Sequence, residues 1–122
     1  MVDLKKARQN LENRYESKRI SARARFDKAT LDCSAIVCMI SAKYRPERIY
    51  QWGSLLHSER FDENSDIDLA VEGIIEPEAF FDLIGEAMKL SNIPLDIVQI
   101  EKIEPEFATS IRESGRVVYE RS

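Results

Sequence analysis

Neither glycine nor proline occurs between Asp3 and Tyr44, so nothing in the first third of this 122-residue chain interrupts a helix. Leu4, Ala7, Leu11, Tyr15, Ala22, Phe26, Ala29, Cys33, Ile36, Val37 and Ile40 recur at spacings built from threes and fours, which predicts helix from Asp3 to about Tyr44. The run is long for one globular helix. A bend or break is expected at Thr30-Leu31-Asp32, where a β-branched residue meets a candidate cap. Leu31 to Ile40 is densely apolar and is expected to pack on a sheet. The amino half has a thinner stripe and many charges, and is expected to project or to pair with another chain.

Past Pro46 the punctuation changes. The residue before proline is pushed out of the helical region, so the helix ends there and Arg48 to Trp52 reads as a strand. A short helix is expected after Gly53 with Ser54 as its cap, then a polar loop over 59–65, and a second strand from Asp66 to Val71. Glu76-Pro77-Glu78 opens a helix with the core face Phe80, Leu83, Ile84, Ala87, Met88 and Leu90, stopped by Ser91-Asn92. Leu95 to Ile100 makes a third strand, Glu104 to Glu113 a short helix with Gly115 as its carboxy-terminal cap, and Val117 to Tyr119 a last strand. This order predicts an α/β fold, a mixed sheet flanked by helices with a long N-terminal helix. A single domain spans 1–122, divided into a helical segment 1–44 and an α/β core 45–122.

Chemistry concentrates in Gly53-Ser54 and, eleven residues on, Asp66-Ile67-Asp68. A β-prone run ending in glycine and a hydroxyl residue lets backbone approach a phosphate while serine donates to its oxygen. In a strand Asp66 and Asp68 point to one face, about 6.6 Å apart, leaving Ile67 and Leu69 for the core. Hard oxygen ligands of this kind suit Mg2+ or Mn2+. With one histidine and two cysteines there is little basis for a zinc site: Cys33 and Cys38, five apart on a helix, turn away from each other and read as buried, reduced thiols.

The stretch from Gln51 to Val71 resembles the signature of the minimal nucleotidyltransferases, small members of the DNA polymerase beta superfamily, and the likeness extends loosely from about 47 to 120. The resemblance implies that Asp96, in Pro94-Leu-Asp-Ile-Val-Gln-Ile100, is the third catalytic acid. Asp66, Asp68 and Asp96 would hold the metal, and Gly53 and Ser54 the nucleotide, ATP or another nucleoside triphosphate. Many members follow Gly-Ser with a residue and then Ala-Arg-Gly. Leu56-His57-Ser58 stands there instead, leaving Arg60 or protonated His57 to supply the positive charge. Stand-alone domains of this size are similar to the antitoxins of HEPN-MNT toxin-antitoxin pairs, which implies transfer of AMP to a tyrosine of a HEPN-type partner. The alternative is a degenerate binding module that neutralises or scaffolds a partner by contact.

Charge and composition set the remaining bounds. Hydrophobic content of 43% with 33% charged residues describes a globular chain, and the longest uncharged run, Cys33 to Ala42, is too short for a bilayer. Met-Val-Asp-Leu-Lys-Lys lacks an apolar signal core, so a cytoplasmic location is expected. The net charge of −4 is uneven: residues 1–28 hold nine Lys/Arg against four Asp/Glu, and residues 29–122 nine against eighteen. A solvated face is the first reading of the basic segment, and homo-oligomerisation through the N-terminal helix the second. Nucleic-acid binding draws on charge alone and is not favoured.

Overall fold

A computed structural model describes residues 3–122. The elements in chain order are α1 (Leu4–Lys43), β1 (Arg48–Trp52), β2 (Ile67–Glu72), α2 (Pro77–Met88), β3 (Leu95–Gln99), α3 (Pro105–Ser114) and β4 (Arg116–Glu120), with two single 3-10 turns, Ser54–Leu56 and Ser58–Arg60, between β1 and β2. The strands form one mixed sheet in the order β3-β2-β1-β4. β1 runs antiparallel to β2 and β4, while β2 and β3 are parallel and connected through α2.

Strand alternation divides the side chains between the two faces of the sheet. Ile49, Ile67, Leu69, Val71 and Ile97 pack against Ala29, Cys33, Ile36 and Ile40 of α1 and Phe80, Leu83 and Ala87 of α2. On the opposite face Tyr50 and Ala70 meet Ala108 and Ile111 of α3. A half-buried ion cluster closes this second face at the end remote from Gly53: Glu72 accepts hydrogen bonds from Tyr50 Oη (3.3 Å), Arg48 Nη1 (3.4 Å) and Arg112 Nη2 (2.7 Å). Together these donors hold the Glu72 carboxyl below its ordinary range against the opposing effect of burial.

The expected break at Thr30-Leu31-Asp32 does not occur; α1 is one helix of 40 residues, about 60 Å long. Thr30 returns its hydroxyl to the Phe26 carbonyl within the helix, and Asp32, in place of capping, accepts from Lys28 Nζ (2.9 Å) and Ser91 Oγ (2.6 Å). Asp3 is the real cap, accepting from Lys6 N. Every residue from Asp3 to Ser21 is exposed, and α1 flanks the β1–β2 connection only from Ser17 on, so Leu4 to Glu16 runs about 20 Å beyond the domain body. Local ion pairs such as Arg8–Glu12 and Arg23–Asp27 accompany it in place of tertiary burial. The thiols part company as the helical spacing requires: Cys33 is buried, but Cys38 is exposed rather than buried, and both are free.

Two other boundaries differ from expectation. β2 begins at Ile67 rather than Asp66, and the backbone after Gly53 makes a 3-10 turn in which Ser54 provides no side-chain cap. α1 anchors this stretch: Arg25 donates from Nε to the Asp62 carbonyl and from Nη2 to the Ser65 carbonyl, both at 3.1 Å, and Phe26 packs edge-on against Phe61. The overhang therefore leaves the body at the same end of the sheet as the β1–β2 connection.

Burial on α1 predicts a sharp contrast. Ile36→Ala should cost about 2–5 kcal/mol of unfolding free energy. Leu11→Ala, on the exposed overhang, should cost under about 0.5 kcal/mol in the isolated monomer. Urea unfolding of the two variants checks this; similar losses would mean that the overhang is packed.

Candidate active site

Gly53 connects the strand to the chemistry. Its φ of 79° is a conformation that L side chains avoid, and a Cβ built on it would overlap Oδ2 of Asp68. The turn backbone therefore lies directly against that carboxylate. The register explains the meeting: Asp68 on β2 pairs with Trp52, the residue before Gly53, on one side and with Asp96 on β3 on the other. Paired residues share a sheet face, so Asp68 and Asp96 stand side by side on the α3 face. Asp66 lies two residues upstream, at the threshold of β2.

The three acids are unequal. Asp68 is buried, Asp66 half-buried and Asp96 exposed. Burial, then Asp96, then Asp66 push the Asp68 carboxyl up to about 7, all three acting in one direction. Among the described residues no donor compensates these like charges at the end of the sheet. Among the described residues no three His, Cys, Asp or Glu side chains are gathered closely enough to hold a metal as they stand. The chemistry of the donor set nevertheless suits a hard divalent cation, since all three candidates are carboxylates.

A cleft of about 370 Å³ opens beside the turn, between Gly53, Ser54, His57 and Arg60 on one wall and Phe107, Ser110 and Ser114 of α3 on the other. Arg60 and His57, the two candidates for the positive charge, thus both border it; His57 is exposed, with Nδ1 3.9 Å from Glu59 Oε1. Two larger grooves, about 660 and 470 Å³, flank α1 near residues 17–27; neither they nor the cleft beside the turn is lined by any of the three acids, which reach the turn through the contact of Gly53 with Asp68. Size does not locate the chemistry here.

Of Tyr50 and Trp52, the two aromatic residues that flank the turn, the sequence leads one to expect at least one to pack in the core. Tyr50 does so, whereas Trp52 lines the cleft, meets Phe107 edge-on at 5.2 Å, and buries an indole N–H with no acceptor among the described residues. Its place next to Gly53 and opposite Asp68 was the available signal. Asp62 was read as loop solubility, but it organises the approach to the acids: its Oδ1 accepts from Asn64 N at 2.8 Å, and Ser65 Oγ accepts from Asp62 N at 3.0 Å. Ser65 holds the turn as expected. Arg25, which clamps this loop from α1, carried no local sequence signal.

A raised carboxyl has a defined consequence for stability. The folded chain keeps the Asp68 proton to about pH 7, while the unfolded chain loses it near 3.9. Its stabilising effect is complete below the unfolded value and is lost as pH rises through about 4 to 7. Without divalent cations, Asp68→Asn should therefore gain about 2–4 kcal/mol at pH 8 and lose that segment of the pH profile. Thermal or urea melts across pH test this; an Asn variant no more stable than wild type at pH 8 would show that the acids do not repel as described.

Among solved structures the chain is similar to one described as the crystal structure of the toxin-antitoxin MntA-HepT, with 18% identity and a TM-score of 0.57 over 75% of this chain and 72% of that chain. No curated protein matches the chain. The sequence model described as "Polymerase beta, Nucleotidyltransferase" matches residues 35–122, which include Gly53, Asp66, Asp68 and Asp96 and exclude the overhang. With its mixed sheet, glycine turn and acidic strand ends, the chain belongs to the polymerase beta nucleotidyltransferase family.

Proposed function

We propose that this chain is a metal-dependent nucleotidyltransferase that transfers a nucleotidyl group, AMP from ATP, to an acceptor hydroxyl, and that as an MNT-type antitoxin it modifies a tyrosine of a HEPN-type partner. The observation that carries the reading is the contact of Gly53 with Asp68, beside Asp96 and Asp66, because it puts a phosphate-accessible backbone next to acids that are short of positive charge. The likeness to a toxin-antitoxin structure supports the biological setting.

The residues divide the work. Gly53 leaves room for the triphosphate, Ser54 donates its hydroxyl to a phosphate oxygen, and Arg60 offers charge from the cleft wall. Mg2+ or Mn2+, held by Asp66, Asp68 and Asp96, would neutralise the triphosphate and acidify the acceptor hydroxyl. Asp68 must lose its proton to serve as a ligand, so binding is coupled to proton release below about pH 7. Asp96, the exposed member, faces the acceptor and takes the phenol proton as the phenolate oxygen bonds to the α-phosphorus. The bond from the α-phosphorus to the bridging oxygen breaks, and pyrophosphate leaves.

A second reading, a binding module without turnover, is favoured by one observation: Leu56-His57-Ser58 follows Gly53-Ser54-Leu55 where many members carry Ala-Arg-Gly. Calorimetry and mass spectrometry separate the two. Wild type should bind ATP only with Mg2+ and add a nucleotidyl mass to the partner's tyrosine. Asp68→Asn should lose both, and Asp96→Asn should keep binding while transfer falls by at least about a hundredfold. A wild-type chain that binds no nucleoside triphosphate with Mg2+ leaves the binding-module reading in its place. A modified small-molecule hydroxyl with an unmodified partner would keep the enzyme and remove the protein acceptor.

A further inference from the structure

The overhang of α1 carries an apolar stripe that its own domain cannot cover. Leu4, Leu11 and Tyr15 are 78%, 64% and 74% exposed. They lie whole helical periods from Ile40, Ala29 and Cys33, so the stripe continues the face that α1 buries on the sheet. Arg8, Arg14 and Lys18 border it. Because α1 is unbroken to Lys43, this arm cannot fold back onto its own body. The family match starts at residue 35, so the arm is an extension beyond the matched domain.

A surface of net opposite sign lies on the outside of α2, where Glu76, Glu78, Asp82 and Glu86 outnumber Lys43 and Lys89, both of them paired with Glu86. Phe81 and Met88 are 72% and 63% exposed and stand on one face with Gly85 between them, bordered by exposed Glu78 and Asp82. Gly85 sits in a helix interior, where glycine is unfavourable relative to alanine, yet a Cβ there would meet nothing within 4 Å. No contact inside the chain calls for it. Bare backbone on an exposed helix face does allow a second helix to approach closely.

We propose that the α1 arm of one chain docks on the outer face of α2 of a second copy, the two copies exchanging arms about a twofold axis. Leu4, Leu11 and Tyr15 would cover Phe81, Gly85 and Met88, with the arm's cations beside Glu78 and Asp82. Charge complementarity selects this occupant: two arms laid on each other would oppose basic segments, and two α2 faces would oppose acids. Reciprocal exchange closes the assembly at two copies. The proposal does not depend on nucleotidyl transfer.

Solution mass of the full chain tests it, with circular dichroism confirming that each variant is folded. Wild type should run at twice 14.1 kDa and dissociate as salt rises. Arg8→Glu/Arg14→Glu/Lys18→Glu in the arm, and separately Glu78→Lys/Asp82→Lys on α2, should each give monomer, and all five changes in one chain should restore the dimer. Gly85→Leu should give monomer without loss of thermal stability. A monomeric wild type, a dimer indifferent to both reversals, or a five-fold variant that stays monomeric would overturn the proposal, the first leaving the arm for a different protein.

Discussion

The structure turns on one close contact, the backbone of Gly53 against the buried carboxylate of Asp68. No other residue type fits there, since the positive φ disfavours a side chain and the carboxylate occupies the space of its first carbon. The antiparallel pairing of β1 with β2 brings the two together, and the parallel pairing of β2 with β3 adds Asp96. The cost is electrostatic. A carboxyl buried beside two others is held up to about 7 by burial and by Asp96 and Asp66.

The rest of the molecule resists that repulsion. Ile67, Leu69 and Val71 fix β2 to α1 and α2 on one face, so the alternate residue, Asp68, can only point to the other. At the far end Glu72, on the same face as Asp68, meets Arg48 and Arg112 and is stabilised as an anion. Two acids on one strand thus have opposite fates, set by their neighbours. α1 contributes at a distance, since Arg25 and Phe26 hold the loop that delivers Asp66.

Much of this was legible in the sequence. Punctuation by Pro46, Gly53, Pro77 and Gly115, combined with period-two and helical patterns, located all four strands and three helices within a few residues. The glycine turn and both aspartates of Asp66-Ile67-Asp68 stood out because spacing alone puts them on one face, whereas Asp96 needed the family resemblance. What was hidden depends on long-range contacts. Thr30 and Asp32 look like a break until Ser91, far along the chain, supplies a partner for Asp32. Arg25 resembles any surface cation until its two carbonyl acceptors are known, and Trp52 resembles a core residue until α3 leaves it a cleft to line.

If Asp66, Asp68 and Asp96 form one repelling cluster that a divalent cation relieves, the charge state of Asp68 must report it. Carboxyl NMR of Asp68, titrated with and without Mg2+ and ATP, tests it most directly. An apparent pKa near 7 in the metal-free chain, falling well into the ordinary carboxylate range when Mg2+ and ATP are added, is the predicted result. An Asp68 that titrates in the ordinary range throughout and ignores Mg2+ would contradict it.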